Sequence, residues 1–381
     1  MTITRPPLIT VEGSYREMGG RLGERTADLV GQSIDNYFHR FRADAGLSAD
    51  DIVRWGRKFH DAARQYDPNI ADMLEGLAEG AGRQPYEVGA LNARTEIMYG
   101  REYGDGGCTS LSVLPRYTAS GHTLLAQNWD WHPEQADVTF LLATRDASGF
   151  SVVSLTEAGM LAKSGLNSAG IGICFNALAS DRDKAGDGVP MHVLLRGALQ
   201  SMTMSKAHKR LLPIERISSG NVLIADAGGE SINFELAPGM FGTLLPRDGL
   251  IAHANHFETG LPLHDFKATS SALTQLRAAH VRHLLEPALE RHMVTVEDIA
   301  NVLRDDYSHP DGLCRYPDPD VPESAKFCTV YSLIIDLDLR TMWIAPGPPS
   351  ENSYTRIELD SIFDTDQAGL AVDLAPTTVG A

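Results

Sequence analysis

The apolar residues of this chain follow one period before residue 108 and another after it, and that switch limits the folds open to it. Over 14–100 apolar side chains recur at helical spacing, in segments 15–41, 49–66, 69–81 and 86–99. Ser48 or Asp50 is placed to cap the second of these, and glycines 76, 80 and 82 are expected to loosen the end of the third. From 109 the runs are short and β-like: 109–114 and 122–128 around Ser120-Gly121, then 138–144 and 150–155 around Asp146-Ala147-Ser148-Gly149, then 170–176. Helical spacing returns over 191–204 and 206–217, strands over 221–225, 231–236 and 250–253, and helices over 270–285 and 296–305. A closing meander is expected over 329–337, 341–345 and 354–359, with loops over 180–190, 306–325 and 366–381. Helices and strands come in blocks, which predicts a layered α+β fold and not an alternating βαβ sheet.

At the switch stands Gly107-Cys108-Thr109-Ser110, preceded by Gly104 and Gly106. Cys108 has no CxxC partner, so neither a zinc knuckle nor a redox pair accounts for it. Two readings stand: a nucleophile at the mouth of a strand, or a small buried residue that starts one. A thiol with an ordinary pKa near 8.5 needs a base at neutral pH. If the Gly107–Cys108 bond is cut, the new α-amine, titrating at about 7.7–8.0, is a base on the same residue. Glycine at 107 leaves the scissile bond open to close approach.

Asp130 lies between Trp129 and Trp131; if buried it needs a partner, and it could orient that amine or cap a turn before Pro133. Asn128 is a similar but weaker candidate. Asn255, in His253-Ala254-Asn255-His256-Phe257, is suited to donate to an oxyanion or to shape a turn. The two histidines lack the motif or cysteine partners of a metal site. Lys326 is either a cation facing a substrate or a solvated surface lysine. Trp129, Trp131, Phe175 and Phe257 could line an acyl pocket or fill the core.

The net charge of −17 argues against sequence-independent nucleic-acid binding and against anionic membranes. No run of about 18 apolar residues is present, and neither G-x-G-x-x-G after a strand nor a P-loop occurs. The N-terminus does not read as a signal peptide and the C-terminus carries no address, so a cytoplasmic protein with four reduced cysteines is expected.

Three blocks together, Gly107-Cys108-Thr109-Ser110-Leu111, Gln127-Asn128-Trp129-Asp130-Trp131 and Ala254-Asn255-His256-Phe257, resemble the isopenicillin N acyltransferase family of N-terminal nucleophile (Ntn) hydrolases, which includes β-alanyl amine hydrolases. The resemblance implies a four-layer αββα sandwich and self-cleavage between Gly107 and Cys108, giving a helical segment 1–107 and a catalytic segment 108–381 within one globular domain. It implies Cys108 as nucleophile with its own α-amine as base, Asp130 as the active-site aspartate and Asn255 in the oxyanion hole. Lys326 would stand where the penicillin enzyme has an arginine, with Asn128 and Trp129 as supports. The implied activity is acyl transfer from a small amide to water or an amine through a Cys108 thioester, with no cofactor or metal. A small-molecule amide is the expected partner, an acyl-CoA or amine acceptor a further candidate; nucleic acid and membrane are not expected, and a homo-oligomer stays open. An uncut cysteine amidase and a non-catalytic binding protein of the same fold are the competing readings.

Overall fold

The computed structural model describes residues 7–98, 107–270, 273–364 and 372–375. Tyr99, Gly104, Gly106 and most of the 366–381 loop, named above, lie outside these residues.

The chain opens with β1 (Leu8–Glu12), then α1 (Tyr15–Arg25), α2 (Ala27–Ala43), α3 (Ala49–Tyr66), α4 (Pro68–Gly80), α5 (Pro85–Asn92) and α6 (Arg94–Met98). Next come β2 (Cys108–Val113), β3 (Leu124–Trp131), β4 (Thr139–Arg145), β5 (Ser151–Glu157), β6 (Ser164–Asn167) and β7 (Ile171–Ala177). After α7 (Met191–Leu199) and α8 (Met204–Leu211) follow β8 (Gly220–Asp226), β9 (Ser231–Ala237), β10 (Met240–Leu244) and β11 (Leu250–His253). The chain ends with α9 (Lys267–Ser270), α10 (Thr274–Glu290), α11 (Val296–Leu303), β12 (Cys328–Asp336), β13 (Thr341–Pro346), β14 (Tyr354–Glu358) and β15 (Val372–Asp373).

The strands form two sheets. One runs β1-β4-β5-β6-β7-β8-β9-β10 and the other β11-β2-β3-β12-β13-β14-β15; every pairing is antiparallel except β1 with β4. One apolar cluster, including Leu125, Trp129, Leu333 and Ile344 from the second sheet and Leu155, Leu166 and Leu223 from the first, fills the space between them. Two further clusters put α1–α6 and then α7 and α8 on the first sheet, and a fourth puts α10 and α11 on the second. The order is helix, sheet, sheet, helix: the αββα sandwich. Strands covered on both faces lose polar alternation, which is why β4 and β5 are buried almost end to end. Among the described residues no helix is long and apolar enough to cross a membrane.

Several elements depart from the sequence pattern. The segment 15–41 is two helices, because Thr26 leaves helical geometry (φ −123°, ψ 19°) and turns its hydroxyl back to Leu22 O at 2.7 Å. The segment 86–99 breaks at Ala93. The helix expected to end at 285 runs to Glu290 through Pro287. Four strands, β1, β6, β10 and β15, were not legible; β1 extends the first sheet from just before the segment read as helical, and β15 lies in the stretch read as loop. Ser48, not Asp50, caps α3, in a reciprocal pair with Asp51.

Gly76 and Gly80 do not loosen α4; they let it meet α1. A β-carbon on Gly76 would lie 2.2 Å from Arg16 O, one on Gly80 2.1 Å from Gly20 O, and one on Gly19 2.1 Å from Met73 O. The two backbones touch with nothing between them. Gly20, in the same helix, has nothing within 4 Å of its added carbon. Gly76→Ala should therefore destabilise by about 1–3 kcal/mol in urea unfolding, because overpacking outweighs the helical gain. Gly20→Ala should be neutral or stabilise by about 1 kcal/mol. Equal effects would contradict the backbone contact.

Candidate active site

Strand pairing assembles the site. Cys108 is the first residue of β2 and lies opposite Trp129 of β3, so both side chains face the space between the sheets. On the other edge of β2, β11 ends at His253 and delivers Asn255 to the Cys108 end. On the far edge of β3, Thr329 of β12 lies opposite Asp130.

The main chain of Cys108 is held at both ends. Its N–H donates to Asn255 Oδ1 at 2.6 Å. Its carbonyl accepts from Arg277 Nη1 at 2.8 Å and from Asn176 Nδ2, on the opposite sheet, at 3.1 Å. Arg277, on α10, also donates to Thr109 Oγ1 at 2.9 Å and to Asn255 Oδ1 at 2.8 Å. With two donors converging on it, that Asn255 atom must be the oxygen. Asn255 Nδ2 gives one hydrogen to Ala177 O at 2.8 Å, leaving its second for another acceptor. Gly107 packs so closely here that a β-carbon would lie 2.4 Å from Arg277 Nη2 and 2.7 Å from Asn255 Oδ1.

Cys108 is buried, and burial pushes its thiol up to about 11, reinforced by the Asp130 charge; a main-chain hydrogen bond from Asp130, Arg277 and Lys163 pull the other way without compensating. Burial likewise pushes Asp130 up to about 7 against Arg315, Arg277 and the Thr329 hydroxyl, which donates to Asp130 Oδ1 at 2.8 Å. Asp130 Oδ2 is buried with no hydrogen-bond partner among the described residues.

A cavity of about 80 Å³, measured to the centres of water-sized spheres, opens onto these groups. Gly107, Cys108, Trp129, Asp130 and Asn255 line it. Trp131 and Phe175 do too; Phe257 is not among the lining residues. Asn128 points elsewhere, donating to Leu303 O and Leu313 O at 2.8 Å each and tying β3 to the end of α11 and the loop beyond.

Lys326 does not reach the cavity. It follows the short turn Glu323–Ala325, where its ammonium pairs with Glu323 at 2.7 Å on the partly solvated side of the chain. Two buried arginines act on Asp130 electrostatically: Arg277, and Arg315, whose N–H donates to Thr329 Oγ1 at 2.9 Å and whose guanidinium pairs with Asp311. Arg315 lies in the Pro- and Asp-rich stretch read as loop. One arginine amid so many acidic residues was the available signal. Asn176, at the end of the run 170–176, holds the Cys108 carbonyl, and Arg277 gave no sequence cue. His253 Nε2 meets Glu235 Oε1 at 2.8 Å within the core.

A family model, acyl-coenzyme A:6-aminopenicillanic acid acyl-transferase, matches residues 117–351. The chain is 25% identical over 363 residues, 94% of its own length and 98% of the relative's, to the acyl-coenzyme A:6-aminopenicillanic-acid-acyltransferase 40 kDa form of Emericella nidulans. Solved structures similar to it include a mutant conjugated bile acid hydrolase from Clostridium perfringens (12% identity, TM-score 0.45, covering 72% of this chain and 100% of that one). Penicillin V acylase from Agrobacterium tumefaciens is similar at 13% identity and TM-score 0.45, with the same coverage. The family match takes in Asp130 and Asn255 and spans more than half of the sequence, so the chain belongs to the acyl-coenzyme A:6-aminopenicillanic acid acyltransferase family.

Proposed function

We propose that this chain is a self-processing cysteine amidohydrolase or acyltransferase acting on a small amide, with Cys108 as its nucleophile. The observation that carries the reading is the grip on the Cys108 main chain: its nitrogen is held by Asn255 and its carbonyl by Arg277 and Asn176.

In the uncut chain a thiol at about 11 is ionised in about one molecule in ten thousand at pH 7. No histidine is among the described residues lining the cavity, so an uncut amidase has no imidazole base there. Self-cleavage supplies one. Cys108 Sγ attacks the Gly107 carbonyl carbon, the C–N bond breaks as the thiol proton passes to the departing nitrogen to free the α-amine, and water hydrolyses the resulting thioester to leave a Gly107 carboxylate and restore the thiol. The amine stays beside Asn255 Oδ1, which accepted its hydrogen before the cut. It then takes the thiol proton, the thiolate attacks the substrate amide, and the ammonium protonates the leaving amine. The remaining hydrogen of Asn255 Nδ2 is the side-chain donor for the oxyanion. Water or an amine then takes the acyl group from the thioester. The four buried cysteines are unpaired, which fits a cytoplasmic location.

Wild-type protein should run on a denaturing gel as two fragments, 1–107 and 108–381, and Cys108→Ala as one uncut chain. Gly107→Ala should cut at least tenfold more slowly, because its methyl displaces Arg277 or Asn255. Fully active protein with a single N-terminus would refute the mechanism.

Asp130 makes a second test. Its carboxyl prefers the protonated form in the folded chain, about 7 against an ordinary 3.8, so folding loses stability as pH rises between those values. Asp130→Asn cannot ionise. Added to the uncut Cys108→Ala chain, the substitution should therefore gain on the order of 4 kcal/mol relative to Cys108→Ala alone between pH 4 and pH 8 in denaturant unfolding; in the processing chain it should lose activity. A pH-independent difference would show that Asp130 is not held in the protonated form.

A further inference from the structure

Glu235, on β9, has no exposure to solvent, and a carboxylate so deep is costly unless it is bonded. It accepts four hydrogen bonds. Its Oε1 takes one from His253 Nε2 at 2.8 Å and one from the Glu258 N–H at 2.6 Å. Its Oε2 takes one from the Thr259 N–H at 3.0 Å and one from the Thr259 hydroxyl. Burial would raise the Glu235 carboxyl, but the hydrogen bond and charge of His253, with the bonds from Thr259 and Glu258, hold it below its ordinary value. It therefore keeps two acceptor oxygens.

The four donors flank Asn255 in the chain: His253 comes before it, Glu258 and Thr259 after it. One carboxylate of the first sheet thus closes both ends of the turn that carries Asn255 away from β11 of the second. The middle of the turn is held separately, by Thr274 Oγ1, which accepts from the Asn255 N–H at 2.8 Å. The His253 carbonyl accepts from Asn176 Nδ2 at 3.2 Å, the same group that donates to Cys108 O. The strand beyond β9 leaves the space this needs. Gly242 of β10 lies opposite Glu235 in the register. A β-carbon on Gly242 would lie 2.5 Å from Thr259 Cβ and closer still to the Thr259 hydroxyl oxygen, so Thr259 could not keep its place. Gly242 stands on the edge strand of the first sheet and is not among the described residues lining the cavity.

We propose that Glu235 is a positioning residue: by closing both ends of the turn it sets where Asn255 stands against Cys108, and Gly242 is what lets it do so. The assignment rests on the Cys108 reading for the reaction it serves, but not for its geometry. A carboxylate suits the task because it has two acceptor oxygens. An amide has one, so Glu235→Gln can hold one end of the turn and not both. Asn255 donates to the oxyanion only as that charge forms, so displacing it lowers kcat and leaves KM nearly unchanged.

The test compares wild type, Glu235→Gln, Gly242→Ala and, as a control for lost stability alone, Gly76→Ala. The substrates are acyl p-nitroanilides of increasing chain length, with rates counted per chain that has a free Cys108 N-terminus. In Glu235→Gln and Gly242→Ala kcat should fall at least tenfold, with KM within about threefold of wild type. Gly76→Ala, at a temperature where every variant is folded, should keep both constants within about twofold. An unchanged kcat in Gly242→Ala, or a fall that Gly76→Ala matches, overturns the proposal even if Glu235→Gln does not fold. If wild type cleaves no anilide, the Cys108 reading fails separately. The side-chain amide resonances of Asn255, assigned by their loss in Asn255→Asp, then decide: a shift in Gly242→Ala and not in Gly76→Ala supports the positioning role, and resonances that stay in place or move equally in both overturn it.

Discussion

The hydrogen bond from the Cys108 main-chain nitrogen to Asn255 Oδ1 is the contact on which the site's geometry depends. It joins the start of β2 to the turn after β11, and Arg277 locks both to α10 by donating to Cys108 O, Thr109 Oγ1 and Asn255 Oδ1 together. Only a guanidinium has donors spread widely enough for this. A lysine would offer one point charge to three acceptors. A guanidinium this deep would be destabilising if unpaired, and its three acceptors are what make it tolerable.

The sandwich distributes the site between its two sheets. The β11-β2-β3-β12 side supplies Cys108, Trp129, Asp130 and Asn255. The β5-β6-β7 side supplies Asn176, Phe175 and Lys163. The apolar cluster between the sheets therefore also fixes the distance between Cys108 and the opposite wall of the cavity. Close-packed interiors do not relax continuously, so a packing error between the sheets would be felt at the cavity first.

Sequence reading reached the parts of this arrangement that local chemistry marks. Cys108 stands out because the hydrophobic period changes there, Asp130 because an acid between two tryptophans is unusual, and Asn255 because it ends a strand. The fold brings all three to one cavity. The remainder depends on contacts between distant positions. Arg277 meets Cys108 across 169 residues of chain, and nothing in a helix of ordinary composition announces it. Lys326 looked suitable because it precedes the closing strands, but a solvated turn with its own glutamate holds it. The layer order was legible from blocks of period. The strands β1 and β10 were not, because each is five residues long with no strict alternation of apolar and polar residues, and the break at Thr26 was hidden because its cause is one hydroxyl turning back on the backbone.

Burial works against reactivity in the uncut chain. It holds the Cys108 thiol near 11 and Asp130 near 7, and each negative form disfavours the other. On the proposed mechanism a single event reverses both effects. Breaking the peptide bond before Cys108 replaces a neutral amide nitrogen with an amine that can carry a proton, at a position between the sulfur, Asn255 and the Asp130 region. An ammonium there favours the thiolate and the carboxylate together, by the same Coulombic logic that made them compete. A precursor folded around this site would lack the amine base that attack on a substrate amide requires, and its first chemical act, on its own backbone, would create it.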